Sequence, residues 1–134
     1  MTTTITPFLM FQDGAAEEAM RFYASLFDDA QIEQITRYGP GGDGPEGSVE
    51  QASFRLCGQR FRCFNSPVPH AFGFTPAISF FVTCQSEEEV TDLFKKLSEG
   101  GEVLMPLDTY PFSKKFGWLN DRFGVSWQVS LASG

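Results

Sequence analysis

The chain has 134 residues, room for one ordinary domain that can bury a sizeable core without a disulfide or metal staple. Seventeen acidic against ten basic residues give a net charge of -7 with no basic stripe, which argues against a nucleic-acid or anionic-membrane partner. Apolar runs such as residues 77–82 are far shorter than the roughly 20 residues a membrane-spanning helix needs, and the polar start Met1-Thr-Thr-Thr-Ile is unlike a signal peptide, so a cytoplasmic location is expected.

In chain order, Ile5, Pro7, Leu9 and Phe11 alternate with Thr6, Phe8 and Met10, predicting a first strand covered on both faces. After Asp13-Gly14, Ala19, Phe22, Tyr23 and Leu26 recur at helical spacing, with Glu17 and Glu18 where a helix dipole favours acids, predicting a helix over 15–27. A second strand is expected over 30–38, a Gly/Pro loop over 39–47, a third strand over 49–57, a hairpin at Gly58-Gln59 and a fourth strand over 60–65. The Pro-rich stretch 66–76 reads as a connector. Beyond it come a strand over 77–83, then a helix with a Ser86/Glu89 capping box, a buried stripe of Val90, Leu93, Phe94 and Leu97, and a stop at Gly100-Gly101. Strands over 102–107, 111–119 and 125–131 complete the chain, with a turn over 120–124 before the last.

These elements repeat. Superposing Glu18 on Glu89 pairs Leu9 with Phe80, Phe11 with Val82, Phe22 with Leu93, Tyr23 with Phe94 and Leu26 with Leu97. The chain therefore reads as an α+β fold of two tandem βαβββ modules, 1–65 and 77–134 joined by 66–76, forming a curved mixed sheet with the helices on its outer face.

Within that arrangement, Gly117-Trp-Leu-Asn-Asp-Arg-Phe-Gly-Val-Ser-Trp-Gln-Val129, Ile5-Thr-Pro-Phe-Leu-Met-Phe11, Ala16-Glu-Glu-Ala-Met-Arg-Phe-Tyr23 and Phe74-Thr-Pro-Ala-Ile-Ser-Phe-Phe81 carry a resemblance. The chain resembles the PhnB-like branch of the vicinal-oxygen-chelate superfamily, which includes glyoxalases, extradiol dioxygenases and bleomycin-resistance proteins. Many members of this branch bear the label 3-demethylubiquinone 3-methyltransferase. The resemblance implies a ligand cup, homodimers, and a divalent metal held by His, Glu or Gln projecting from four strands. It does not transfer the label's chemistry: the only Gly-rich stretch, 39–47, is followed by a strand-like segment rather than by a helix, so it does not read as a cofactor cradle.

Strand parity tests the metal. One face presents Thr6, Phe8 and Met10 on strand one, Ala77, Ser79 and Phe81 on strand five, Val49, Gln51 and Ser53 on strand three, and Ser126, Gln128 and Ser130 on the last strand. Two amides among hydroxyls and apolar groups make a poor divalent site, and Gln128 stands where the resemblance puts a metal-binding Glu. A metal-free and cofactor-free cup is expected. Its proposed lining is Phe8, Met10, Gln51, Asn65, Ser79, Phe81, Trp118 and Gln128, suited to a small, partly aromatic or apolar organic ligand. The same aromatics also fit plain core, and Asn65 either faces the pocket or holds the following turn. No catalytic residue stands out. The sole histidine, His70, reads as a solvated connector residue; Cys57, Cys63 and Cys84 read as reduced thiols; Asp121 and Arg122 read as turn residues; the side of Arg55 stays open. Loops 39–47 and 106–116 either close over a ligand or merely connect. Metal-independent binding is the leading expectation, with a lyase, isomerase or dioxygenase as the alternative and a structural role also open.

Overall fold

The computed structural model describes residues 2–133 and divides into two compact units, residues 1–73 and 74–134. Each has the order strand, helix, strand, strand, strand, and each builds its own four-stranded mixed sheet.

The first unit contains β1 (Phe8–Phe11), α1 (Ala16–Ser25), β2 (Ala30–Arg37), β3 (Val49–Leu56) and β4 (Gln59–Asn65), with sheet order β1-β4-β3-β2. β1 lies parallel to β4, and the other neighbours are antiparallel. Helix α1 covers one face, where Tyr23 packs on Phe54 at 6.4 Å between ring centroids and Leu9, Phe11, Phe61 and Cys63 are buried. Burial of each large apolar side chain in this layer contributes roughly 1.5–3 kcal/mol. The first strand starts at Phe8 rather than at Ile5. Pro7 has no N–H to donate to a ladder, although its carbonyl accepts from Arg62 N at 2.9 Å, and Ile5 is exposed. The β3–β4 hairpin turns on Cys57 (φ 50°) and Gly58 (φ 85°), one residue earlier than expected, and Leu56 pairs with Gln59. Positive φ at both central residues suits the twist of a two-residue hairpin.

The second unit contains β5 (Phe80–Cys84), α2 (Glu87–Ser98), β6 (Glu102–Tyr110), β7 (Ser113–Asn120) and β8 (Ser126–Leu131), in the order β5-β8-β7-β6. Ser86 Oγ accepts from Glu89 N (3.2 Å) while Glu89 Oε1 accepts from Gln85 N (2.9 Å), which starts α2 where the capping pattern predicts. Val90, Leu93, Phe94 and Leu97 are buried against the sheet. Gly117 lets β7 pass under Phe94: a Cβ there would run into the Phe94 ring and lie 3.1 Å from Leu107 Cδ2.

Two boundaries in this unit correct the expectations. The segment 106–116 is not a loop but the end of a β6–β7 hairpin, in which Tyr110 pairs with Ser113 and Thr109 Oγ1 donates to the Lys114 carbonyl (2.8 Å). The aromatic rings of Tyr110 and Phe112 stack at 5.8 Å and both pack on Phe116, so apolar contact favours a closed hairpin over an open connection. Strand five begins at Phe80 rather than residue 77. Thr75 bends the chain before it, its Oγ1 accepting from Ala77 N and its carbonyl from Ile78 N.

Candidate functional site

Each sheet has one face covered by its helix and one face free of helix. On the first sheet the free face carries Phe8 and Met10 from β1, Arg60, Arg62 and Phe64 from β4, Gln51, Ser53 and Arg55 from β3, and Gln34 and Thr36 from β2, as the pairings Phe8 with Arg62, Ser53 with Arg62 and Gln34 with Ser53 require. A cavity of about 220 Å³ opens there, lined by Gln34, Thr36, Gln51, Ala52, Ser53, Arg60 and Arg62.

Charge on this face is uneven. Glu33 receives Arg60 (2.9 Å from Nε) and Arg55 (3.2 Å from Nη2). Hydrogen bonding to Arg60 leads the effects that hold the Glu33 carboxyl below the usual carboxylate range. Arg62 meets no carboxylate among the described residues. Its guanidinium lies over the Phe8 ring at 4.8 Å from the centroid, and Gln51, with its amide oxygen turned inward, accepts from Arg62 Nε at 3.2 Å and from Nη2. Phe8 in turn meets Phe64 edge-on at 5.2 Å.

On the second sheet the helix-free face carries Phe81 from β5, Ser126, Gln128 and Ser130 from β8, and Phe116, Trp118 and Asn120 from β7. Several of its polar groups are engaged with one another: Gln128 Nε2 donates to Ser79 Oγ (2.7 Å), Trp118 Nε1 to Ser126 Oγ (2.8 Å) and Ser130 Oγ to Ser113 Oγ (2.9 Å), whereas Asn120 Oδ1 is buried without a partner among the described residues. Phe81 is 57% exposed beside Phe116.

Of the residues proposed from sequence, Phe8, Met10 and Gln51 share the free face of the first sheet, and Phe81, Trp118 and Gln128 that of the second, with Ser79 just before β5. Asn65 is corrected to the opposite side. It is buried under α1, where its Oδ1 accepts from Ala16 N (2.9 Å) and its carbonyl from Tyr38 Oη (3.0 Å), so it caps a helix whose own N-cap, Ala15, has no side-chain oxygen to offer. Val49 is also corrected: a register shift at Thr36/Arg37 turns it into the core, where it is 1% exposed. The parity reading missed Arg60 and Arg62. The alternation Arg60-Phe-Arg-Cys-Phe-Asn65 carried the signal, since two arginines on one face leave Phe61, Cys63 and Asn65 for the other.

His70 is exposed in the connector, its ring stacked on Phe72 at 5.0 Å, its Nε2 3.1 Å from Ser66 Oγ and its backbone N donating to Gln12 Oε1. Burial pushes the Cys63 thiol up to about 12, which removes the thiolate a nucleophile needs. Asp121 holds the turn into β8, its Oδ1 accepting from Phe123 N and Val125 N and its Oδ2 from Trp127 Nε1 (2.9 Å).

The chemistry of the donors does not fit the metal centre that the resemblance implies. On the strands tested by parity, the helix-free faces of β1, β3, β5 and β8 carry no His, Asp or Glu, and among the described residues no three His, Cys, Asp or Glu side chains come together to hold an ion.

A model of the family described as 3-demethylubiquinone-9 3-methyltransferase matches residues 3–130. The chain belongs to this family. Its solved relatives include a Bacillus cereus PhnB protein carrying the same description provisionally, 58% identical over 97% of this chain and 100% of that one, with a TM-score of 0.94. PA1353 of Pseudomonas aeruginosa is 26% identical over 99% and 100%, with a TM-score of 0.81. The fosfomycin resistance protein FosX of Listeria monocytogenes, at 10% identity over 99% and 95% and a TM-score of 0.69, shares the fold alone. The Bacillus cereus and Pseudomonas aeruginosa structures bear out the expected fold of two tandem βαβββ modules. A comparison with functionally curated proteins found no match.

Proposed function

We propose that this chain binds a small, partly aromatic organic molecule on the helix-free sheet faces of its glyoxalase-like fold, without a metal. The observation that carries the reading is the cavity on the first sheet, lined by amide, hydroxyl and guanidinium groups, with the exposed Phe8 ring packed against the Arg62 that lines it. The helix-free faces of β3, β4 and β8 supply amides, hydroxyls and guanidinium groups, which orient a ligand by hydrogen bonds rather than by coordination. Methyl transfer finds no support in the chain itself. The Gly-rich stretch 39–47 joins antiparallel β2 to β3, whereas a nucleotide-type cofactor is cradled where a strand turns into a helix.

Thermal-shift screening against small aromatic and aliphatic molecules, with and without chelator, tests the reading. Ligands that raise Tm equally in both conditions support it; binding that requires a stoichiometric divalent ion overturns it. Pairing into a homodimer belongs to the same reading, supported by the exposure of Phe8 and Phe81 on the helix-free sheet faces, and sedimentation velocity measures it.

A further inference from the structure

The cavity on the first sheet has a charge to match. Three guanidinium groups, those of Arg55, Arg60 and Arg62, stand on this face against one carboxylate, Glu33, whose oxygens already receive Arg55 and Arg60. Arg62 is left with the Phe8 ring on one side and the neutral Gln51 amide on the other. The side chains of Gln34, Thr36 and Ser53, which complete the lining with Arg60 and Ala52, make no hydrogen bond within the described residues. A guanidinium without a counter-ion, in a concavity where the Gln34 amide and the Thr36 and Ser53 hydroxyls are also unused, is a receptor for an anion. In a chain of net charge -7 this local excess of positive charge is not a general property of the surface.

The aromatic neighbours narrow the anion. Arg62 is planar and lies over Phe8, with Phe64 edge-on to that ring, so a ligand that meets the guanidinium also meets an apolar surface. The cavity, about 220 Å³, is smaller than a typical pocket for a drug-sized molecule. We infer that Arg62, with Gln51, binds the carboxylate of a small organic acid whose flat apolar part rests on Phe8. This rests on the binding reading above and adds the ligand's charge and the residue that recognises it.

Titrations followed by amide chemical shifts test it with benzoate, its neutral isostere benzamide, and inorganic phosphate. Benzoate is expected to bind wild type, perturb β1, β3 and β4, and exceed benzamide by at least about tenfold in affinity. Arg62→Gln should lose about tenfold or more of the benzoate affinity and much less of the benzamide affinity, and Arg62→Lys should recover only part of the former, because it restores charge without the planar fork. Melting temperatures of both variants near wild type establish that the loss is local. If benzamide binds wild type as well as benzoate does, or Arg62→Gln leaves benzoate binding intact, the anion inference falls while small-molecule binding stands. Tighter binding of phosphate than of benzoate overturns the assignment to a carboxylate. Absence of binding by benzoate and benzamide alike at millimolar concentration overturns this inference, and the thermal-shift screen then decides separately whether the broader reading survives.

Discussion

Cys63 and Cys57 show how one residue type takes opposite chemistry from its surroundings. Cys63 is buried beneath α1, where burial pushes its thiol up to about 12, whereas Cys57 is exposed at a hairpin turn. A thiol reagent at neutral pH is expected to modify Cys57 rapidly and Cys63 only after denaturant is added, as mass spectrometry of time points will show. Asn65 provides a second test. Replacing it with Ala removes the oxygen that Ala16 N requires at a buried helix start, and the stability loss in urea denaturation should be about 1–2 kcal/mol. Sequence left two roles open for Asn65, pocket or turn, and it fills neither. A helix cap delivered from a strand remote in sequence leaves no local pattern to read, since Ala15 simply lacks a capping side chain.

The elements themselves were far more legible. α2 carries its start signal, its apolar stripe and its stop within a few residues of one another, so its limits depend on local chemistry and were readable. The segment 106–116 was not, because its strand character comes from pairing across the β6–β7 ladder and from the packing of Tyr110 and Phe112 on Phe116. Gly117→Ala would force a Cβ into the buried Phe94 ring, and overpacking of this kind should cost about 1–3 kcal/mol in denaturant unfolding. On α1, Glu17 is bound by Arg37 and Arg21, whose hydrogen bonds lower its pKa from 4.5 to about 2. Because the folded pKa is the lower one, its stabilisation is present above pH 4.5 and fades as pH falls toward 2. Solvent screening of a side chain one-third exposed keeps the effect below about 1 kcal/mol. The stability difference between wild type and Glu17→Gln should therefore shrink across that range in urea titrations at successive pH values.

For the molecule as a whole, the donor set predicts that chelator leaves Tm unchanged and that added zinc or manganese gives no saturable stabilisation, as calorimetry can measure. Among the described residues no helix is long and apolar enough to cross a membrane. The sequence by itself determined the two βαβββ modules, the family, and the lack of carboxylate and imidazole on the strand faces where the resemblance puts a metal. Those properties depend on periodicity and residue type, both of which are local. Only tertiary structure decided which arginine keeps its charge unpaired. Glu33 lies on β2 and the arginines on β3 and β4, so whether a guanidinium has a carboxylate partner depends on how separate strands align side by side. That alignment consumed Arg55 and Arg60 and left Arg62 facing the cavity with only a ring and an amide for company.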